Sequence, residues 1–584
     1  MYQSIYYVDK STNTFSDVLA TYGLAKILDE ILAQALGRES PRKVWIQDMG
    51  PYYMVQLSTH IQSEWVDKCS YFNGPPFYIT NSKIQSKPGT MSRDVDKTWE
   101  QNKIYQERRK QLKNIPETDE NLKQQLQDIQ PPYDWEIVTL LGDSRIQALK
   151  TYNQAVNQWA LLKDYFTINL KTILNMCAKP YTDIKDITPN WQKEVKIKDP
   201  SIKRELTSIQ LLNPHQGKGL NEPKSNSLTM GNMKSFWLIE YMKSCGLWLC
   251  TAPRRKDGNS DLKIYIIAPH RITLAAHQAV FETFCRRLWS NSSAKMDCIA
   301  ALLYTDILLK HSEAGQYDEL DFDGYGPEDV VSGFHVVQYK LLSRNAYTAI
   351  NLAFLGLPNW TGEVKKYEKV KELQNVIEEH MRVVESIDEG RSDGYNLLLL
   401  YRDFLSGGNW GKFFDFTAGY SHYIMGQFAQ GRYVPLFTTT SIRRLIMATK
   451  KPLIEIVENS GFQNVAYAIR HSTVIPQSRK ARNQDTLYEI RYGLGMDLKR
   501  KSTVRDDFIN ALSDFMQSYN QENNRILERV KKQMRRDIRT LDIQEIVNLV
   551  DSYGSEVIAN LLVAYGYARE SREETDDSTN ETSI

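Results

Sequence analysis

Ile454-Glu455-Ile456-Val457-Glu458-Asn459-Ser460-Gly461-Phe462-Gln463-Asn464-Val465-Ala466-Tyr467-Ala468-Ile469-Arg470 reads as a helix, a glycine stop and a second helix. A third helix is predicted from about Asp506, because Phe508, Ile509, Leu512, Phe515, Met516 and Tyr519 fall on one stripe at helical spacing. Leu541 to Asp551 and Ser555 to Tyr567 follow, with Tyr553-Gly554 as the break between them. Amphipathic helices of this length are marginal alone and become stable by burying their apolar faces against one another. The segment 447–569 is therefore constrained to a helical bundle. Residues 570–584 are acidic and poor in apolar side chains, which predicts a disordered tail.

A chain of 584 residues exceeds one hydrophobic core, and roughly two to four domains are expected. Residues 1–200 are expected to form an N-terminal α/β domain, with helix and strand signals alternating over residues 1 to about 90. Phe15 to Leu36 is predicted helical, and Lys43-Val44-Trp45-Ile46 and Tyr52 to Leu57 read as strands. Inside this domain, residues 92–128 form a highly charged insertion with helical character that Pro131-Pro132 ends. Residues 201–440 mix α/β and helical signals: Phe236 to Cys245 is helical, Lys263 to Ile267 a strand, and helices dominate Leu274 to Leu309 and Val364 to Ile387. The expected fold class is an α+β N-terminal region with a mainly α C-terminal helical bundle.

The net charge of +2 conceals local asymmetry. Arg470 to Arg505 carries nine Lys/Arg against three Asp/Glu, and Arg529 to Arg539 six against one. A near-neutral chain with basic runs suits contact with phosphate along selected faces, and it equally suits a solvated helix face. The six cysteines show no metal or redox spacing, and Cys245 and Cys250 sit in an apolar run that predicts buried thiols. The N-terminus lacks a signal-peptide pattern, and no apolar run approaches the ~20 residues needed to span a bilayer. A cytoplasmic protein without membrane contact is expected.

Catalytic signatures fail one by one. Gly217-Lys218-Gly219 is not a P-loop, because Leu212 stands where the first glycine is needed and Gly219 where Ser or Thr is needed. Glu319 to Gly324 resembles half a calcium loop, but its twelfth position is Val330. Gly390-Arg391-Ser392-Asp393-Gly394 has the letters of a nucleophile elbow without the apolar strand before it, so a polar inter-helix turn is expected. No cofactor or metal is expected, and the chain reads as a binding protein, not an enzyme. Arg479, Lys480, Arg482, Arg491, Lys499, Arg500 and Lys501 surround Tyr488 and Tyr492, a mixture of cations and rings suited to single-stranded nucleic acid. The competing reading makes the two tyrosines core residues of a helix.

Asn464-Val465-Ala466-Tyr467-Ala468-Ile469-Arg470-His471-Ser472-Thr473, Tyr488 to Leu494, Tyr519 to Asn523 and Leu561 to Arg569 together resemble the C-terminal region of large subunits of type I CRISPR Cascade complexes. The nearest group is the branch of subtypes A and B, including members that accompany CRISPR-associated transposons. The segment Asn213 to Asn226 is also similar to part of that group. The resemblance covers about a third of the chain. It implies an N-terminal region that contacts the 5′ end of the guide RNA (crRNA) and reads the motif flanking the target. It further implies a C-terminal bundle that resembles the separate small subunit and holds the displaced DNA strand. Implied partners are the guide RNA, target double-stranded DNA, Cascade backbone and small subunits, and a helicase-nuclease or a transposition factor.

Chemistry and loop position, not the family, select the candidate nucleic-acid-binding residues. Lys218, Lys224 and Asn226 come first, since a glycine-flanked lysine approaches a backbone closely and asparagine reads base edges. Arg254, Arg255 and Lys256 come next, then Asn81 and Lys83, with Arg470 and the seven cations above in the C-terminal region. Met447, just before Lys450-Lys451-Pro452, is a candidate internal translation start that would yield a free small subunit. Two rivals stand. One is a nuclease or nucleotidyltransferase using the acidic stretch Asp318 to Asp329, with Asp321 and Asp323. The other is a scaffold that binds only protein.

Overall fold

The computed structural model describes residues 2–112, 126, 128–195, 202–215, 233–255, 261–288, 292–313, 326–343, 346–361, 367–449, 452–484 and 486–570. In chain order the elements begin β1 (Ile5–Asp9), α1 (Phe15–Leu36), β2 (Val44–Asp48), β3 (Tyr52–Leu57), α2 (Ser63–Lys68), β4 (Tyr78–Thr80), β5 (Ser92–Asp94) and α3 (Val95–Leu112). Next come α4 (Trp135–Gly142), α5 (Leu149–Leu161), α6 (Phe166–Met176), α7 (Ile184–Val195), β6 (Glu205–Thr207), β7 (Lys234–Phe236), α8 (Trp237–Cys250), β8 (Thr251–Arg255), β9 (Leu262–Pro269), β10 (Arg271–Thr273) and α9 (Leu274–Arg287). Helix α10 (Ala294–Glu313) precedes β11 (Val331–Ser343) and β12 (Ala346–Gly356). The remainder is helical: α11 (Tyr367–Ser386), α12 (Ser392–Gly407), α13 (Trp410–Ala429), α14 (Thr439–Thr449), α15 (Pro452–Glu458), α16 (Ser460–Ser472), α17 (Val474–Ala481), α18 (Leu494–Lys501), α19 (Arg505–Val530), α20 (Thr540–Tyr553) and α21 (Ser555–Gly566). The fold is an α+β N-terminal region followed by a mainly α C-terminal region.

These elements form two compact units. The first holds Met1–Asn291 and Glu328–Leu355, so β11 and β12 return to the N-terminal sheets. The second holds Ser292–Glu313 and Gly356–Ile584, so α10 belongs with the C-terminal helices.

Two four-stranded sheets organise the first unit, ordered β1-β3-β2-β10 and β12-β11-β9-β8. In the former, every pairing is antiparallel, with Tyr6 opposite Val55 and Ile46 opposite both Val55 and Ile272. Strand β3 alternates half-buried and buried residues, as period-2 patterning requires of a sheet with one covered face. Strand β9 is buried at all eight positions, the signature of a central strand covered on both sides.

Helix α1 crosses α8 at unusually close range. A methyl group on Gly23 would sit 1.9 Å from the Met242 carbonyl oxygen, and one on Gly246 would sit 2.0 Å from that of Leu19. Each helix thus presents a glycine to the other's backbone. His277 of α9 completes the junction. Its Nε2 donates to the Leu249 carbonyl at 2.9 Å, which leaves Nδ1 to accept from the Tyr22 hydroxyl at 3.1 Å. Burial holds this imidazole neutral, with a pKa depressed to about 4.

The second unit is built on rings. Trp360, His380, Tyr401, Phe404, Phe413, Phe416, Tyr420 and Phe437 are all buried and interlock through edge and stacked contacts. His380 Nδ1 and the Tyr401 hydroxyl lie 2.7 Å apart, and burial lowers this histidine's pKa to about 3. Glu389 places its carboxylate on the backbone N–H groups of Ser293, Ala294 and Lys295 at 2.9–3.2 Å, satisfying the orphan donors at the start of α10. Gly390 and Arg391 lie in the turn between α11 and α12, and Ser392 to Gly394 open α12, so the motif spans a polar inter-helix turn and the helix start that follows it.

Replacing Gly246 by alanine is expected to destabilise the first unit by about 3 kcal/mol, because backbone faces backbone and neither helix can yield locally. Gly426→Ala in α13, where an added methyl meets nothing within 4 Å, should instead be neutral or stabilising by up to about 1 kcal/mol. Denaturant titration of both variants checks the contrast.

Acid should act through the buried histidines. Folded-state values of about 4 for His277 and about 3 for His380 lie below the unfolded value of 6.5. Stability is therefore fully present above pH 6.5 and falls as pH drops toward 4, by about 1.4 kcal/mol per pH unit for each histidine. Equal midpoints of unfolding at pH 7 and pH 5 would contradict this.

Candidate nucleic-acid interface

The C-terminal region positions its cations around one buried ion pair. Arg535 is 2% exposed at its side chain and Glu522 on α19 is 4%, with Nη2 to Oε2 at 2.9 Å. Arg535 also donates to the Asn523 side-chain oxygen at 3.0 Å and to the His471 carbonyl at 2.8 Å. Its guanidinium lies 3.3 Å from the Tyr488 ring centroid and 4.6 Å from that of Tyr519. Glu522 accepts in turn from the backbone N–H of Glu489 at 2.6 Å and from Arg491 at 3.4 Å. One carboxylate thereby joins α19, the end of α16 and the 486–493 segment. That segment is irregular, so Tyr488 and Tyr492 are not helix-core residues: Tyr488 is a half-buried platform over Arg535, and Tyr492 is exposed.

Around this pivot lies a surface of rings and unpaired cations. Tyr467 and His471, four residues apart on α16, stack with centroids 3.9 Å apart. Arg536 is exposed and lies 5.1 Å from the Tyr467 ring. Arg479 and Lys480 end α17 and Arg482 follows, all exposed. Lys480 Nζ sits 3.4 Å from the Tyr492 hydroxyl. Among the described residues Arg479, Arg482 and Arg536 enter no ion pair. His471 reports the resulting field. Burial depresses its pKa first, and Arg470, Arg535, Arg479 and Arg536 lower it further, to about 3.

Two expected contact residues are structural instead. Arg470 is buried, donating to the Tyr565 carbonyl at 2.9 Å and pairing with Glu570. Arg491 is half-buried, held by the Ser472 and Ser518 hydroxyls at 3.2 Å and by Glu522. Lys499 reaches Asp415 on α13 at 2.5 Å, while Arg500 and Lys501 share Asp497 on their own helix at 2.7 and 3.5 Å.

In the first unit Arg254 is not a basic turn residue. It is buried at the end of β8, where it donates to the carbonyls of Leu288, Cys285 and Pro253 and pairs with Glu136. Arg255 remains partly open, sharing Asp143 with Arg145 and lying 5.9 Å from the exposed Trp99 ring. Asn81 spends its side-chain oxygen on the N–H groups of Lys83 and Ile84, both at 2.9 Å, and Lys83 is exposed. Lys218, Lys224, Asn226 and Lys256 lie outside the described residues, as do Asp321, Asp323 and 571–584. The described flanks of 216–232 are both tied to Glu240 of α8: Asn213 and Ser235 donate to its carboxylate at 2.9 and 2.6 Å, with Lys243 beside them.

Met447 stands exposed in the last turn of α14. A chain begun there lacks α13 and Phe437. Yet Thr417, Tyr420, Ile424 and Phe437 line one small cavity with Val563, Ala564 and Tyr567 of the C-terminal end. Backbone bonds Arg569 N–H to Phe437 O and Thr439 N–H to Arg569 O, at 2.8 and 3.0 Å, tie the same ends together.

Sequence reading missed Arg535, Arg536, Tyr467 and His471. The basic run 529–539 was visible, but which of its cations turns inward depends on Glu522, thirteen residues from Arg535. Among the described residues no cluster of three or more His, Cys, Asp or Glu is placed to hold a metal, and no helix is long and apolar enough to cross a membrane. No protein-family model matches the chain, and no curated protein is significantly similar to it.

Removing Arg535 leaves the buried Glu522 carboxylate with only the Glu489 N–H and the longer contact to Arg491, so Arg535→Ala should cost about 3 kcal/mol. Arg479→Ala and Arg536→Ala should stay within about 0.5 kcal/mol of the parent. Thermal melting of the three variants separates pivot from surface.

Proposed function

We propose that this chain is a non-catalytic nucleic-acid-binding protein, the large subunit of an RNA-guided DNA-surveillance complex of the Cascade kind. The observation that carries the binding reading is the surface of Arg479, Lys480, Arg482 and Arg536 around the rings of Tyr467, His471 and Tyr488. Cations without carboxylate partners suit a phosphodiester backbone, and half-exposed rings suit unstacked bases. The assignment to Cascade rests on the sequence resemblance, which supplies the guide RNA, the target duplex, the backbone and small subunits, a downstream helicase-nuclease or transposition factor, and a cytoplasmic setting. In that arrangement the C-terminal helices hold the displaced strand, and the region around Glu240, from which 216–232 departs, serves the guide end and the flanking motif.

The triple variant Arg479→Ala, Arg482→Ala, Arg536→Ala should bind a fluorescent single-stranded oligonucleotide more weakly and flatten the dependence of log K on log salt by about 2 units, at about 0.7 per lost phosphate contact. The purified protein should hydrolyse neither RNA, DNA nor ATP. Unchanged affinity and slope would move the interface elsewhere, and hydrolysis abolished by a single carboxylate substitution would favour the enzyme.

A further inference from the structure

The first unit carries an open sheet edge beside a polar cavity, and neither belongs to the nucleic-acid surface. Strand β12 is terminal in the order β12-β11-β9-β8. Its alternate residues Ile350, Leu352 and Phe354 are 49%, 50% and 50% exposed, an apolar row on one face of an edge strand. The edge is already used at its beginning: the Tyr347 N–H donates to the Arg145 carbonyl at 3.1 Å. By strand alternation, Ala349, Asn351 and Ala353 turn their N–H and C=O groups toward the same side. Among the described residues they have no backbone partner there.

Phe354 ends the apolar row and also lines the cavity, which encloses about 210 Å³. The other lining residues that set its chemistry are Lys10, Asp17, Asp48, Tyr53 and His335. Lys10 is held by both oxygens of Asp48 at 2.6 Å and lies 4.5 Å from the Tyr53 ring. Asp17 is buried at the first turn of α1, accepting from the Thr12 hydroxyl at 2.8 Å and its N–H at 3.2 Å. His335 meets the Phe354 ring edge-on at 5.3 Å and is neutral, its pKa depressed by burial to about 4. Two carboxylates thus face one ammonium. A phosphodiester is repelled by this lining, whereas a second cation is attracted.

We propose that β12 accepts an extended segment of a partner protein as an added strand, its aliphatic side chains covering Ile350 and Leu352 and a Lys or Arg side chain entering the cavity between Asp17, Asp48 and Phe354. Main-chain bonds to Ala349, Asn351 and Ala353 give the attachment, and the cavity selects the register, since only one position of the segment can present the cation. An added strand also removes the association hazard of an exposed apolar edge.

A photoreactive benzoylphenylalanine in place of Leu352, in the full-length protein purified with its co-expressed partners, tests this. The expected adduct is a polypeptide segment of alternating aliphatic residues with a Lys or Arg within three positions of the linked residue. Ala353→Pro removes an outward N–H without touching the β11 side, and should lower the yield at least tenfold. Asp17→Asn should lower it severalfold. Melting temperatures of both variants confirm that they fold, and Ile350→Glu, at an exposed position of the same row, replaces either one that does not. Adducts to RNA or DNA, to a second copy of this chain, or to a segment without a cation overturn the proposal, as do no adduct and a yield unchanged by Ala353→Pro.

Discussion

The crossing of α1 and α8 is the constraint on which the first unit depends. Backbone contact between two helices is possible only where neither carries a Cβ, and Gly23 and Gly246 supply that on both sides. Because α1 covers the β1-β3-β2-β10 sheet while α8 leads directly into β8, the crossing fixes how one sheet lies relative to the other within that unit. The neutral His277 then ties α9 to the same junction, through one bond to each of the two helices. Both devices are intolerant of change for different reasons. The glycines leave no volume, and the imidazole cannot take a proton without losing its acceptor toward Tyr22.

In the C-terminal unit the organising choice is which cations are buried. Arg470 and Arg535 surrender their hydration and recover it through carbonyls, carboxylates and ring faces. Arg535 is the more connected, since Glu522 also holds Arg491 and the backbone of Glu489. An ion pair of this kind contributes little net stability against an apolar alternative, but breaking it is costly. Its effect is positional: it holds Tyr488, the end of α16 and the 531–539 segment in one arrangement, so that the exposed Arg479 and Arg536 keep fixed places around the rings.

Much of this architecture was legible in the sequence where pattern and length agreed. Helix α1 spans the predicted Phe15 to Leu36, and α19, α20 and α21 follow the predicted apolar stripe and the Gly554 break, where φ is +88°. The β11–β12 pair was not legible. Ile350, Leu352 and Phe354 do alternate with Asn351 and Ala353 in β12, but that apolar row is exposed, so the period-2 pattern marks no core face there. Domain limits at 200 and 440 were drawn from composition, whereas the compact units follow contacts: α10 joins helices that come later in the chain, and β11 and β12 join strands that come earlier. The site was legible only as charge. A basic run suits phosphate contact or a solvated face alike, and whether Arg254, Arg470 or Arg535 faces water is decided by carbonyls and carboxylates far away in sequence, which no local signal encodes.

Burial first, and then four arginines, act on the His471 imidazole. The only energetically acceptable state is the neutral one, stacked on Tyr467. A protonated ring there would add a further positive charge to a cluster that already repels itself. Glu570 and Glu522 offset Arg470 and Arg535, whereas Arg479 and Arg536 have no carboxylate partner among the described residues and add a destabilising repulsion. On the proposed function, an anion bound here would relieve part of that repulsion, and its affinity should track ionic strength more steeply than the chain's net charge of +2 would suggest.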